Sequence, residues 1–181
     1  MDALIVGAAF FLPAFFANIA AMVVGRVAKE FGPPFNITVD KIVTLGKREL
    51  FGPNKTMLGS FAMVLAALAA GENLTALHEN FGIGPKVFDP VWQHAVPVWL
   101  LLGTGACLGD LAGSLCKRAL RIAAGKDLWV VDQIDWLLGA VVLLWFFDLL
   151  PAWNLVAWGS LVLVSARFVL EIPRKIIFPS A

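Results

Sequence analysis

Between two long apolar runs lies a block dense in groups able to hold phosphate and metal. It reads Gly109-Asp110-Leu111-Ala112-Gly113-Ser114-Leu115-Cys116-Lys117-Arg118-Ala119-Leu120-Arg121, followed by Asp132-Gln133-Ile134-Asp135. At helical spacing Asp110, Ser114, Lys117 and Arg121 form one stripe, with Arg118 beside it and Leu111, Leu115, Ala119 and Ile122 on an apolar face. Asp132 and Asp135 share a face if they are helical. Cations and a hydroxyl bind phosphates, and paired carboxylates bind a divalent metal. That combination is what phosphoryl or nucleotidyl transfer needs. A second anion-binding candidate is Gly52-Pro53-Asn54-Lys55-Thr56, which runs straight into an apolar stretch. Pro and Asn suit a helix start, and a helix N-terminus attracts anions. It is no P-loop, because the first glycine of that motif is absent and Asn54 replaces the second.

The elements that position these residues belong to a membrane. The chain has 181 residues, 60% of them apolar and 15% charged, with a mean hydropathy of +0.83. A soluble domain of this length is far more polar. The reading is an all-α integral membrane protein, 1–181 being a single transmembrane domain of about five helices with a polar site on the cytoplasmic side. Spans fall at roughly 4–24, 56–71, 94–109, 136–150 and 152–170. The polar loops are 25–55 and 110–135. Pro151 leaves almost no loop between the last two spans, which predicts an antiparallel hairpin. Every one of the 14 Lys and Arg except Lys86 then lies on one side. The positive-inside rule makes that side cytoplasmic and puts the N-terminus outside. A net charge of +1 implies no nucleic-acid partner.

Asn18 is polar at membrane depth, as an interhelical hydrogen bond or as a cavity-lining group. Phe35 to Asp40 alternates like a short strand or an interfacial segment. Cys107 and Cys116 read as buried free thiols, and His78 and His94 lack metal-ligand spacing. Trp92, Trp136 and Trp153 stand near span ends, as in an aromatic belt. Charged loop residues are usually a solvated face, and loop lysines usually snorkel. Here, however, Asp110, Asp132 and Asp135 flank spans, where a charge is costly unless paired or metal-bound.

Ser114, Lys117 and Arg118, then Lys126, then Asp132-Gln133-Ile134-Asp135, resemble the signature of the CTP:phosphatidate cytidylyltransferases. Within that group the small size, five spans and Asp-Gln-x-Asp ending are similar to the archaeal CDP-archaeol synthases. Pro13 to Asn18 matches their Pro-Ala-x-x-Ala-Asn, Asn54-Lys55-Thr56 their Gly-Lys-Thr, and Gly109 to Ser114 their Gly-Asp-x-x-Gly-Ser. Two departures are Met57-Leu58-Gly59 where the family has Trp-Arg-Gly, and Trp129 in place of a proline.

The resemblance implies that the phosphate of an isoprenoid diether lipid attacks the α-phosphate of CTP, giving a CDP-lipid and pyrophosphate in the bilayer. It implies magnesium as cofactor, held by Asp110, Asp132 and Asp135. It gives Lys117 and Arg118 the task of neutralising phosphate, and Asn54, Lys55, Thr56 and Ser114 that of positioning phosphates or cytidine. A CDP-diacylglycerol synthase would use the same polar chemistry on an ester lipid. A small transporter with aspartates along an ion path is the reading from a different class. Against it, the charges gather at one surface and only Asn18 lies deep.

Overall fold

Apolar runs wind into five helices in the computed structural model, which describes residues 3–43, 50–82, 95–122 and 131–177. They are α1 (Ala3–Phe31), α2 (Met57–Phe81), α3 (Ala95–Ala119), α4 (Val131–Phe146) and α5 (Trp153–Ile177). A short 3-10 turn, Val39–Lys41, lies between α1 and α2. Among the described residues the only strand-like pairing is one antiparallel bridge, Thr38 to Thr56. It is all that comes of the alternation over Phe35 to Asp40.

Local chemistry sets the helix ends. Thr56 caps α2, its Oγ1 accepting from the Gly59 N–H at 3.1 Å. Gly82, in the left-handed region, closes the other end by donating to His78 O. At the end of α3 Arg121 turns left-handed and the Ile122 N–H returns to Lys117 O at 2.9 Å. Arg121 therefore leaves the stripe that the helical spacing gave it.

Inter-helix contacts give the direction of each crossing. Lys29 of α1 donates to Asn54, just before α2, and the Gly59 backbone packs on Ala21 and Gly25, so α1 and α2 are antiparallel. Gly71 packs on Trp99, and Gly103 on Ala67 and Val64, so α2 and α3 are antiparallel. Gly105 meets Ala140 and Gly109 meets Asp135, so α3 and α4 are antiparallel. Gly7 meets Leu155 and Gly159, while Asn18 meets Arg167, so α5 runs parallel to α1. These crossings use glycine against backbone, as helices in lipid do when close packing replaces the hydrophobic effect.

Helix α1 is the hub. It touches all four other helices and buries Phe10, Phe11, Ala14, Phe15 and Ala17. Large apolar side chains point outward instead: Phe61, Leu65, Val142, Trp145 and Leu161 are each about half exposed or more. A water-soluble protein avoids such a surface, and a bilayer calls for it. Helices α1, α2, α3 and α5 are long and apolar enough to cross a membrane.

Several expectations change. Cys116 is exposed and Cys107 only half-buried, so they are free thiols but not both buried ones. Helices α2 and α3 outrun the apolar stretches 56–71 and 94–109. Helix α3 continues unbroken through Asp110 to Ala119, so 110–119 is not a loop or a separate surface helix. Helices α4 and α5 do not form an intimate hairpin, because α5 packs chiefly on α1 through Gly7 and Gly159 and touches α4 only lightly. Trp136 is no belt residue: it is fully buried, its ring 6.0 Å from that of Phe15, because it faces α1. Trp153 is exposed as a belt residue should be, and Trp92 and His94 lie outside the described residues.

Candidate active site

The antiparallel pattern brings the end of α1 and the starts of α2 and α4 level with the last turns of α3. The polar residues of the sequence block meet there. The Lys55 ammonium lies 2.5 Å from Asp110 Oδ1, and Lys117 lies 2.7 Å from Asp132 Oδ1. These four side chains are only 15–22% exposed. Asp135 is 7% exposed, and its Oδ1 accepts from the Trp136 N–H at 2.7 Å. It feels the charges of Asp110, Lys55 and Asp132. Three carboxylates and two ammonium groups thus gather at one end of the bundle.

Backbone packing makes room for Asp135. A methyl group on Gly109 would collide with its carbonyl oxygen, and one on Gly113 with its Oδ2. The Gly-x-x-x-Gly spacing on α3 lets α4 approach closely enough for its carboxylate to lie against the α3 backbone. Asp110 escapes the cost of a charge inside a spanning helix by pairing with Lys55, from a different element.

The remaining residues of the expected site occupy supporting positions. Ser114 is buried and donates to Asp110 O at 3.1 Å. The Thr56 hydroxyl is engaged as the α2 cap. Asn54 is exposed and accepts from Lys29. Arg118 donates from Nη1 to Ile122 O at 2.5 Å, and its guanidinium lies under Gly52, 3.4 Å from where a Cβ would be. Its buried Nε has no hydrogen-bond partner among the described residues. Lys126 and Trp129 lie outside the described residues.

Sequence reasoning missed three residues. Asp40 organises the loop over Arg118: its carboxylate accepts from the N–H groups of Leu50 (2.9 Å), Phe51 (3.0 Å) and Gly52 (2.6 Å). Gly52 has φ +86°, a left-handed conformation that favours glycine. Asp40 lies 12 residues before Gly52, so no local spacing signalled the contact. Arg167, grouped by sequence with the basic loop ends, is instead buried, its Nε donating to Asn18 Oδ1 at 3.1 Å. Asn18 therefore makes an interhelical hydrogen bond. Gln133, between the two aspartates, is 3% exposed. Its position within an acidic motif was the only hint.

Among the described residues no three His, Cys, Asp or Glu lie close enough together to hold a metal by themselves. The donor set nevertheless suits a hard cation. Magnesium takes one or two carboxylates and completes its shell with water and substrate phosphate, and Asp110, Asp132 and Asp135 offer only oxygen.

Known proteins resemble this chain over most of its length. The model of the CarS-like family, described as CDP-archaeol synthase, matches residues 1–173. A CDP-archaeol synthase of Thermofilum pendens is 32% identical over 141 residues, covering 78% of this chain and 62% of that protein. The chain thus spans less than two thirds of that relative's length. A CDP-archaeol synthase of Methanopyrus kandleri is 33% identical, covering 82% of this chain and 73% of that one. A solved structure, described as an intramembrane enzyme for archaeal membrane lipids biosynthesis, superposes with a TM-score of 0.70 at 26% identity over 91% of each chain.

Proposed function

Since the chain belongs to the CarS-like CDP-archaeol synthase family, we propose that it transfers CMP from CTP to an isoprenoid diether glycerol phosphate. An oxygen of the lipid phosphate attacks the α-phosphorus of CTP. A new P–O–P bond forms, the bond to the β-phosphate breaks, and pyrophosphate leaves. No general base is needed, because the attacking phosphate monoester is already anionic near neutral pH. The observation that carries this reading is the Lys55–Asp110 and Lys117–Asp132 pairs meeting Asp135 at one end of an apolar bundle. A water-borne triphosphate and a bilayer-borne phosphate can meet at such a place.

Lys55 and Lys117 would grip phosphate oxygens, and the unpartnered Nε of Arg118 is a further donor for them. Ser114, Thr56 and Asn54 would support that cradle from α3 and from the start of α2. Magnesium, when bound, would offset charge on the triphosphate and orient it for in-line displacement. Asp110, Asp132 and Asp135 are the carboxylates available to hold it, one or two of which would bind it with substrate phosphate and water. The bias of basic loop residues supports a cytoplasmic location for this end of the bundle, where CTP is available.

The test is product mass. Purified protein is incubated with CTP and diether or diester glycerol phosphates, with magnesium or with chelator. The expected result is a CDP-diether lipid plus pyrophosphate, formed only with magnesium. Preference for the diester would reassign the lipid, and no nucleotidyl lipid from either would defeat the reading.

A further inference from the structure

The first turn of α4 carries a polar group that the described protein does not satisfy. Gln133 is 3% exposed, and its Oε1 has no hydrogen-bond partner among the described residues. Native structures keep few such atoms, since an apolar side chain of the same size would fill the space at lower cost. The neighbours of Gln133 in the chain are functional ones. Asp132 is next to Gln133 in the chain and holds Lys117, and Asp135 is two residues on. The Phe15–Trp136 ring contact fixes the level between α1 and α4. Three residues toward the polar end from that contact come Asn18 on α1 and Gln133 on α4. Gln133 thus stands at about the level of the bundle where Asn18 accepts from Arg167.

We infer that Gln133 reads the nucleotide base. Its Oε1 accepts from the exocyclic amine of cytosine, and its Nε2 donates to the adjacent ring nitrogen. This rests on the cytidylyltransferase reading and adds the source of base specificity. The argument is one of donors. In a diether glycerol phosphate all three glycerol oxygens are substituted, so the ionised lipid offers only acceptors. The nucleotide is the substrate that brings N–H and O–H groups, on the cytosine amine and the ribose hydroxyls. A primary amide presents an acceptor beside a donor. Cytosine presents a donor, its amine, beside an acceptor, its ring N3. Glutamine holds the amine and ring nitrogen of adenine by the same side-by-side pairing. Uracil puts a carbonyl oxygen where cytosine has the amine, so Oε1 would face another acceptor. The orphaned atoms of the site then divide the nucleotide between them: the Arg118 Nε donor suits phosphate, and the Gln133 acceptor suits the base.

The test replaces Gln133 by Met, which keeps length and helix propensity, and by Glu, which keeps an acceptor but cannot donate. Turnover of CTP, UTP and dCTP is measured with diether phosphate, together with the melting temperature without nucleotide. Wild type should prefer CTP to UTP. In Gln133→Met, kcat/KM for CTP should fall about tenfold to a hundredfold while UTP changes little. The CTP:dCTP ratio and the KM for lipid should hold, and the nucleotide-free melting temperature should hold or rise. Gln133→Glu should lose part of the CTP preference through the missing donor. An undiminished CTP preference in both variants overturns the assignment, as does a loss that tracks the ribose hydroxyl. A lower melting temperature in both variants without nucleotide also overturns it, because the amide would then be satisfied within the fold. A wild type that turns over neither nucleotide defeats the reading of the activity itself, and that outcome is distinct from the others.

Discussion

Lys117 and Asp132 sit 2.7 Å apart and mostly shielded, yet such a pair as a whole adds little to folding, because forming it removes two ions from water. Its value lies in what the lysine does when triphosphate arrives. Lys117→Gln keeps most of the stem and removes the charge. We expect the variant to fold with a lower melting temperature, because Asp132 loses this partner, and kcat/KM for CTP to fall about tenfold to a hundredfold, the worth of one charge-assisted phosphate contact. Parallel melting curves and steady-state kinetics check this. Equal activity in wild type and variant would return Lys117 to the role of a surface cation. At this scale the sequence was most informative. Asp110, Lys117, Asp132 and Asp135 were visible because charge between apolar runs needs an explanation. Lys55 was visible as a cation at a helix start. Its pairing with Asp110 was not, since that depends on the registry of α2 against α3 and joins residues 55 apart in the chain. Asp40, Gln133 and Arg167 were missed because their roles lie in burial and in backbone amides, neither of which residue type announces.

Helix α3 shows why the element scale was harder to read. A helix was legible in the spacing from Asp110 onward. That it continues the preceding span was not, because a charge at Asp110 looks like the end of an apolar run until Lys55 is seen to neutralise it. The other determinant is the small-residue face Gly105, Gly109 and Gly113, which packs on Ala140, Gly139 and Asp135. Gly113 is the closest to the chemistry. In Gly113→Ala the new methyl group would overlap Asp135 Oδ2, so either α4 moves away or the carboxylate turns. Overpacking of this kind costs about 1–3 kcal/mol. The expected outcome is a modest drop in melting temperature together with at least about a tenfold loss of kcat, since a small displacement of a positioned group is felt strongly in catalysis. Gly82→Ala, at a helix end with no atom of the described residues near its Cβ but a left-handed φ, serves as the control: it should lower stability without a comparable effect on kcat. If Gly113→Ala loses stability and activity only in the proportion seen for Gly82→Ala, the close approach is packing alone.

For the whole molecule the open matter is how many times the chain crosses. Helix α4 has 16 residues, about 24 Å, against a hydrocarbon core of about 30 Å. Taken alone it is short, and it begins with Asp132 and Asp135. Connectivity argues that it crosses nevertheless. The start of α5 lies beside Gly7, because a Cβ there would meet Leu155 and Gly159, and Gly7 is at the end of α1 remote from the charged cluster. Only the segment 147–152 joins α4 to α5, so the last turn of α4 must reach that remote end. Helix α4 also runs antiparallel along α3, with Ala140 at Gly105. Its polar first turn can stay at the interface because Lys117 meets Asp132 there, which leaves Trp136 onward to span. Single cysteines at Lys41, Glu79 and Asp148, all exposed, test this in a protein whose Cys107 and Cys116 have been replaced by Ala. In oriented vesicles an impermeant thiol reagent should reach position 41 from one side and positions 79 and 148 from the other. If positions 41 and 148 label from the same side, α4 does not cross, and the parallel packing of α5 on α1 fails with it.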